Sequence, residues 1–414
     1  MREMFKNPND PTINELVYFF QVEFPALAND MKASNHNAAD NEPNPYHIED
    51  TIWTHTMMVC LRAENENSNK VVKIAALLHD IGKPEARDII PFEQKKPVHT
   101  ESNEKRNNGM NDGKDSGMQR VMPKSGLKTH FRGHEGLSFY RAIEIVNRLE
   151  EYGVLNVEEK ERVLTVISLH GTLFDNIKNG EEVKPEKVIA KFNDIQTYRD
   201  LIAQVKNDST GRFFTSTDGR KNQAFELGKS IYNDETFNKY FKAKLQPGFL
   251  SPKITVLVGV PACGKSTWRE ENWGDAIVIS RDDVMMKYAH DNVDGSENMT
   301  YSDVWKYLED NDLHKEVDKI EQTIFRQAVK DNDDIIIDRT NMSAKSRRKW
   351  LSNVPKTYSK EAIVFATVYE DVYARNKKRA EDTGKNISNY IIGNMMRQFI
   401  VPTYAEVDSV KFVF

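Results

Sequence analysis

Apolar residues along the first half of the chain recur at helical spacing in segments of helical length. These are IWTHTMMVCLRAE (52–64), VVKIAALLHDI (71–81), LSFYRAIEIVNRLEEYG (137–153), VEEKERVLTVISLH (157–170) and IQTYRDLIAQV (195–205). Strand-like alternation is nearly absent, so an all-α unit is predicted. Two stretches break the pattern, an Asn-rich one at 29–46 and a polar one at 95–128 with almost no large apolar side chains. Both read as poorly structured loops within that unit. After residue 250 the texture changes to short β-rich runs, ITVLVG (254–259), AIVIS (276–280), DIIID (334–338) and EAIVFATVY (361–369), separated by helical stretches such as LHKEVDKIEQTIFRQAVK (313–330). That alternation predicts a parallel α/β sheet. The boundary falls near Gln246 to Lys253, where Pro247, Gly248 and Pro252 break regular structure. The expected architecture is therefore multidomain, with a helical unit over 1–246, carrying the insert at about 95–128, and an α/β unit over 247–414.

Composition adds bounds. A chain of 414 residues exceeds one ordinary single-core domain. No run approaches the roughly 20 apolar residues of a membrane span and the start lacks a signal-peptide stretch, so no membrane association and a cytoplasmic location are expected, the host cytoplasm if the chain is phage-encoded. Two cysteines, Cys60 and Cys263, offer no disulfide framework and suit a reducing compartment. The net charge of -5 excludes a globally basic nucleic-acid coat, while KSRRKW (345–350) and RNKKR (375–379) remain local phosphate candidates.

Chemistry concentrates in two places. In the α/β unit, Gly259-Val-Pro-Ala-Cys263-Gly264-Lys265-Ser266-Thr267 fits the GxxxxGK[ST] pattern after a predicted strand and before a helix. Its backbone N–H groups can cradle phosphates, with Lys265 supplying charge and Ser266 a hydroxyl for Mg²⁺. Two further strands end in acids, one at Asp282 and Asp283 and one at Asp338, followed by Arg339. In an open α/β sheet that edge faces the ligand, so a carboxylate there can take a proton from an attacking hydroxyl or organise Mg²⁺; an ordinary N-cap is the alternative. Arg375 and Arg379, four apart, share one face if helical and suit gripping a triphosphate, a solvated basic face being the alternative.

In the helical unit, the pair His79-Asp80 gains weight from its company: His55, His134, His170 and Asp208 all lie at or near ends of helix-like stretches. Such N/O donors suit one or two divalent transition-metal ions, Mn, Fe, Co, Ni or Zn, rather than Mg²⁺. A bound metal would make hydroxide available near neutral pH and neutralise phosphoester charge. Lys83 and Arg212 are either phosphate partners or surface charges. His47, His99 and His130 lie in or beside polar loops and are read as exposed. The Trp residues and the Met pairs at 57–58, 285–286 and 395–396 are read as core packing, not as a base-stacking platform.

The motifs GVPACGKSTW, SRDD, DRTN and RNKKR, in that order over roughly 253–405, resemble the phage-type 5′-OH polynucleotide kinase family. That resemblance implies Asp282 as general base, Lys265 and Ser266 serving ATP (or another NTP) and Mg²⁺, and Arg375 and Arg379 as a lid over the phosphates. Met285 departs from the family pattern, which has an Arg there for acceptor-strand phosphate; Lys287 or Arg281 is the expected substitute. Whether Asp338 or Arg339 falls at the family's acidic position is left open by the sequence. The order H…HD…H…H…D resembles the HD phosphohydrolase superfamily over about 46–215. It implies His55, His79, Asp80 and Asp208 as a central metal set, with His134 and His170 for a second ion.

Together the two resemble the HD-Pnk family of bifunctional end-healing enzymes. The resemblance implies phosphorylation of 5′-OH ends, metal-dependent removal or opening of 2′,3′-cyclic, 2′- or 3′-phosphates on RNA or DNA ends, and a nucleic-acid ligase acting downstream. The alternative is a small-metabolite or mononucleotide kinase joined to an HD nucleotide phosphohydrolase, which would show a much weaker salt dependence of substrate binding.

Overall fold

The structure is a computed structural model, and it describes residues 4–40, 42, 44, 47–91, 125–171, 185–213, 233–242 and 251–414. A helical N-terminal region precedes an α/β region built on a five-stranded parallel sheet. Each predicted long helix is present: Ile52–Asn65, Lys70–Leu78, His134–Glu151, Val157–Leu169 and Ile195–Thr210. Asn69, Asn156 and Asp194 each cap a following helix by accepting a backbone N–H bond, which fixes where these helices start. The Lys70–Leu78 helix is buried on every side, so its sequence is apolar nearly throughout.

The helical region is not wholly α. Strands β1 (Asp88–Pro91) and β2 (Leu127–His130) pair antiparallel and bracket the polar insert, so its last residues, 127–128, belong to a strand. Residues 95–124 of that insert lie outside the described residues, His99 among them. The Asn-rich stretch expected as a loop is also partly ordered. Its first residues close the helix Pro25–Ala33, and His36 beyond it is buried, with its backbone N–H donating to Asp50 O.

In the α/β region the strands β3 (Lys253–Val258), β4 (Ile277–Ser280), β5 (Ile335–Asp338), β6 (Ser359–Phe365) and β7 (Ser409–Val413) lie in the order β4-β5-β3-β6-β7. All pairs are parallel, with Ile254 opposite Ile335 and Lys253 opposite Ser359. Near-continuous Ile and Val at the central strands follow from burial of both sheet faces. The parallel order brings the carboxyl ends of β3, β4 and β5 to one edge, where the glycine-rich loop, Asp282 and Asp338 sit.

The expected boundary falls largely on residues outside the described set, but the two regions pack on each other. Phe139 stacks against Phe399 at 4.3 Å between ring centroids, and Val401 N donates to Ser168 Oγ at 3.0 Å. A Cβ on Gly136 would stand 2.1 Å from Met396 O, so only glycine lets the His134 helix approach the C-terminal end of the helix Asn389–Arg397 this closely. Apolar side chains of both regions form one contiguous core.

The KSRRKW segment is not a phosphate site at its centre. Arg347 is fully buried, pairs through two nitrogens with Glu406 at 2.9 Å each, and donates to the carbonyls of Asn341 and Ile400. Its guanidinium is consumed in holding the chain after β5 to the C-terminal segment.

Candidate functional sites

Five helix ends bring the six residues together, N-terminal ends carrying His55 and His134 and C-terminal ends carrying His79 with Asp80, His170 and Asp208. His79 Nε2 lies 3.1 Å from Asp80 Oδ2, and His134 Nε2 lies 3.4 Å from Asp80 Oδ1. His170 Nε2 is 3.2 Å from His134 Nε2, and His55 Nε2 is 3.2 Å from Asp208 Oδ1. Each of these imidazoles turns its Nε2 inward because its Nδ1 is tied outward. His79 Nδ1 bonds Ala76 O at 2.9 Å, His134 Nδ1 bonds Phe131 O at 2.9 Å and His170 Nδ1 bonds Ile167 O at 2.7 Å. His55 Nδ1 bonds Glu49 Oε1 at 2.9 Å. Three of these anchors are carbonyls three residues back, in the last helical turn for His79 and His170 and in the turn before the helix for His134, so local backbone sets the tautomers.

This donor set fits a divalent ion. His55 Nε2, His79 Nε2 and both Asp80 carboxylate oxygens are buried facing one another as ion pairs without a well-aligned hydrogen bond, a costly state for polar atoms unless a ligand completes them. Three groups of three, His47-Glu49-His55, His55-His79-Asp80 and Asp80-His134-His170, each have their donor atoms within 4.8 Å of one another, with Asp80 common to the last two. Burial lowers the His170 pKa to about 4, helped by the neighbouring His134 and His79, so its ring is neutral and able to ligate at neutral pH. Burial opposes ionisation of Asp80, but His79 and Lys83 outweigh it and hold the carboxyl well below its usual range. Lys83 Nζ sits 2.7 Å from Asp80 Oδ2, so it belongs to the cluster and is not a surface charge.

Sequence reading missed the outer layer. His47, read as exposed, stacks on buried His36 at 4.1 Å and bonds Glu49 Oε1 through Nδ1 at 2.9 Å. Glu49, whose side chain is fully buried, thus receives both His55 and His47 on one oxygen and the backbone N–H of Phe213 on the other, at 3.1 Å. His130 is exposed as expected. Nothing in an Asn-rich segment of low periodicity marks Glu49; the only signal is its place six residues before His55. Glu49→Gln keeps the shape but removes the anion that fixes the His55 tautomer. Loss of such an outer partner typically weakens metal binding by about 10- to 100-fold. Titration of the apo protein with Mn²⁺ or Ni²⁺ in a calorimeter, with circular dichroism to verify folding, measures it.

At the sheet edge, Gly264 takes φ +101° to open the helix Lys265–Asn272, and Ala262 is also left-handed at φ +64°. The loop is tied down by Gly259 N donating to Thr340 O and Thr367 Oγ1 to Cys263 O. Lys265 Nζ curls over it, donating to the carbonyls of Gly259 at 2.9 Å and Val260 at 2.7 Å. Ser266 and Thr267 are exposed at the helix start. Arg269 bridges Asp283, at 2.8 Å, and Asp338, at 3.0 Å. Burial raises the Asp338 pKa against the pull of Lys265 and Arg269. Arg339 turns away to buried Glu321, so Asp338 is the acid that faces the loop.

Asp282 accepts from Tyr301 OH at 2.9 Å and pairs with Lys385. Burial favours its neutral form, but Lys385 and Tyr301 overcome that and keep its pKa below the ordinary value. Arg375 and Arg379 share the helix Tyr369–Thr383 but differ in setting. Arg379 is half-buried, its Nε lacks a partner, and it lies within electrostatic reach of Asp282. Arg375 is exposed and near Asp371, at 3.6 Å. Met285 is fully buried, Arg281 is held by Asp318 and His314, and Lys287 is exposed.

The AAA domain family model matches residues 254–402. The C-terminal part is thus a kinase-type P-loop domain, a class whose loop takes ATP with Mg²⁺. Among solved structures, a chain from "Structure of the Pnkp1/Rnl/Hen1 RNA repair complex" is 24% identical over 38% of this chain, with a TM-score of 0.28. The match takes in 46% of that chain, so this protein spans under half its length. No helix among the described residues is long and apolar enough to cross a membrane.

Proposed function

We propose that the protein is a bifunctional nucleic-acid end-healing enzyme, with an HD-type phosphohydrolase unit over 1–246 and a 5′-OH polynucleotide kinase unit over 247–414. One observation carries this reading. The helical region holds a buried cluster of imidazoles and carboxylates facing one another and, separately, the sheet carries a P-loop with the carboxylates Asp282 and Asp338 at the same edge.

In the kinase, the loop N–H groups and Lys265 bind the β- and γ-phosphates, and Lys265 exchanges its loop carbonyls for phosphate oxygens. Ser266 would hold Mg²⁺, whose chemistry would be to neutralise charge on the transferring phosphoryl group. Asp282 takes the proton of the 5′-hydroxyl as its oxygen attacks the γ-phosphorus and ADP leaves. Arg379 stabilises the charge from the lid helix, with Arg375 at its outer end.

In the hydrolase, His55, His79, Asp80 and Asp208 would hold one divalent ion, and His134 and His170 would serve a second. Bound there, Mn, Fe, Co, Ni or Zn would lower the pKa of an attacking water and neutralise phosphoester charge. Lys83 and Arg212 face the scissile phosphate as cations. The substrates are RNA or DNA ends bearing 2′,3′-cyclic, 2′- or 3′-phosphates, and the healed product suits a ligase.

The test is an oligoribonucleotide with a 5′-OH and a 2′,3′-cyclic phosphate, incubated with ATP, Mg²⁺ and Mn²⁺ or Ni²⁺ and read by mass spectrometry. Wild type should gain a 5′-phosphate and alter the 3′ end, whereas Lys265→Ala should lose only the 5′ change. No change at either end would leave the mononucleotide reading in its place.

A further inference from the structure

Beside Asp282 the fold builds a surface that phosphate binding does not use. Tyr301 opens the helix Tyr301–Asp310, and its hydroxyl donates to Asp282 Oδ1 at 2.9 Å. Four residues on, Trp305 lies on the same helical face, its ring 6.5 Å from that of Tyr301 and inclined by 25°. Trp305 is 39% exposed, which overturns its reading as core packing; Trp350, by contrast, is buried. His314 packs against the Trp305 ring at 4.6 Å, and Arg281 reaches His314 Nδ1 at 3.3 Å. On the other side, Lys385 sits 4.2 Å above the Tyr301 ring while pairing with Asp282. Lys385 is held in place because Ser302 Oγ donates to Gly384 O at 2.7 Å, joining the lid helix's C-terminal turn to the helix that carries both rings.

Trp305 offers an exposed indole beside the Tyr301 ring, and the neighbours here choose the partner. Two aromatic rings on one helical face with the Lys385 ammonium above one of them suit a strand of planar bases joined by phosphates. The track begins at Asp282 itself, so a strand lying along it delivers its first nucleotide to that carboxylate. Arg281 and Lys287, the substitutes expected for the residue at Met285, serve less well. Arg281 is neutralised by Asp318, and Lys287 lies on an exposed part of its helix away from these rings.

We propose that Tyr301, Trp305 and Lys385 form the acceptor-strand platform, taking the 5′-terminal nucleotides of a single-stranded nucleic acid. Trp305 stacks a base, and Lys385 leaves Asp282 to bind the first internucleotide phosphate. Release of Lys385 frees the Asp282 oxygen for the 5′-hydroxyl proton, so strand binding prepares the base. Lys385 is a positioning residue, and the inference rests on the kinase reading given above.

The experiment uses the full chain and two readouts. In the first, a fluorescent 5′-OH hexanucleotide, as RNA and as DNA, is titrated without ATP, and anisotropy gives its affinity. Trp305→Ala should weaken binding about tenfold, in the range of one lost base stack, and Trp305→Phe should recover most of it. Lys385→Ala should reduce the slope of log affinity against log salt by about one unit, and Lys385→Arg should restore it. In the second, kinase KM for the hexanucleotide should rise about tenfold in Trp305→Ala with KM for ATP unchanged. Folded Trp305→Ala and Lys385→Ala proteins that bind as tightly as wild type would overturn the platform, as would a wild type that binds no hexanucleotide. Tight, Trp305-dependent binding without phosphoryl transfer would sustain the platform and remove the kinase assignment instead.

Discussion

Asp80→Asn should abolish divalent-metal binding to the helical region and reduce 3′-end healing by about a thousandfold or more, while 5′-phosphorylation stays within about twofold of wild type. The size follows from what this carboxylate does. It is buried, its oxygens face Lys83 and the imidazoles of His79 and His134, and it is the one group common to the triads His55-His79-Asp80 and Asp80-His134-His170. A metal's stabilisation of charge in the transition state amounts to several kcal/mol, and each 1.4 kcal/mol is about tenfold in rate. An amide of the same shape supplies one neutral oxygen and leaves the Lys83 ammonium facing imidazoles without its anion. Inductively coupled plasma mass spectrometry of protein refilled with Mn²⁺ or Ni²⁺, alongside both end-healing assays, checks the two halves of the expectation. Retained stoichiometric metal would show that the imidazoles and Asp208 suffice and that Asp80 is not the shared ligand.

The inner cluster was legible in the sequence and its outer layer was not, for a physical reason. His55, His79, His134 and His170 each stand at or near an end of an apolar helical run, and helix periodicity is the strongest signal a sequence carries. Three of the four take their tautomer from a carbonyl three residues back, a purely local device. Glu49, His47 and His36 act from an aperiodic, Asn-rich segment, where only tertiary contact decides which polar residue is buried. The same division holds in the sheet. The strands feeding the P-loop, Asp282 and Asp338 are runs of Ile and Val, whereas β7, a short strand of mixed polarity, gains its place only by pairing with β6. Packing of the two regions on each other was equally silent, because an apolar face does not name its partner. Gly136, whose missing side chain admits Met396, reads as a mere helix residue until the second surface is present.

Asp282→Asn should lower kinase kcat by about 10²- to 10⁴-fold, the usual contribution of a general base, with KM for ATP nearly unchanged and 3′-end healing intact. The nucleotide is held by the loop and Lys265, neither of which bonds to Asp282, so its binding survives. The geometry also fixes the sign of a pH effect. Lys385 and Tyr301 hold the Asp282 carboxyl below its ordinary pKa, so in wild type the base stays ionised well into acid. Lys385→Ala removes the cation, burial then raises the pKa, and the acid limb of the kcat/KM profile, which reports the free enzyme in which Lys385 still pairs with Asp282, should move to higher pH. Activity would therefore be lost earlier as pH falls, although the substituted residue is not the base. An Asp282→Asn protein whose kcat drops less than tenfold would assign proton removal to Asp338, the other acid at this edge. Asp338 is the weaker candidate because it already bonds Arg269 at 3.0 Å and lies beside Lys265, a placement suited to organising Mg²⁺. Comparing Asp282→Asn with Asp338→Asn across a Mg²⁺ titration separates the roles: excess Mg²⁺ should rescue the second and leave the first inactive.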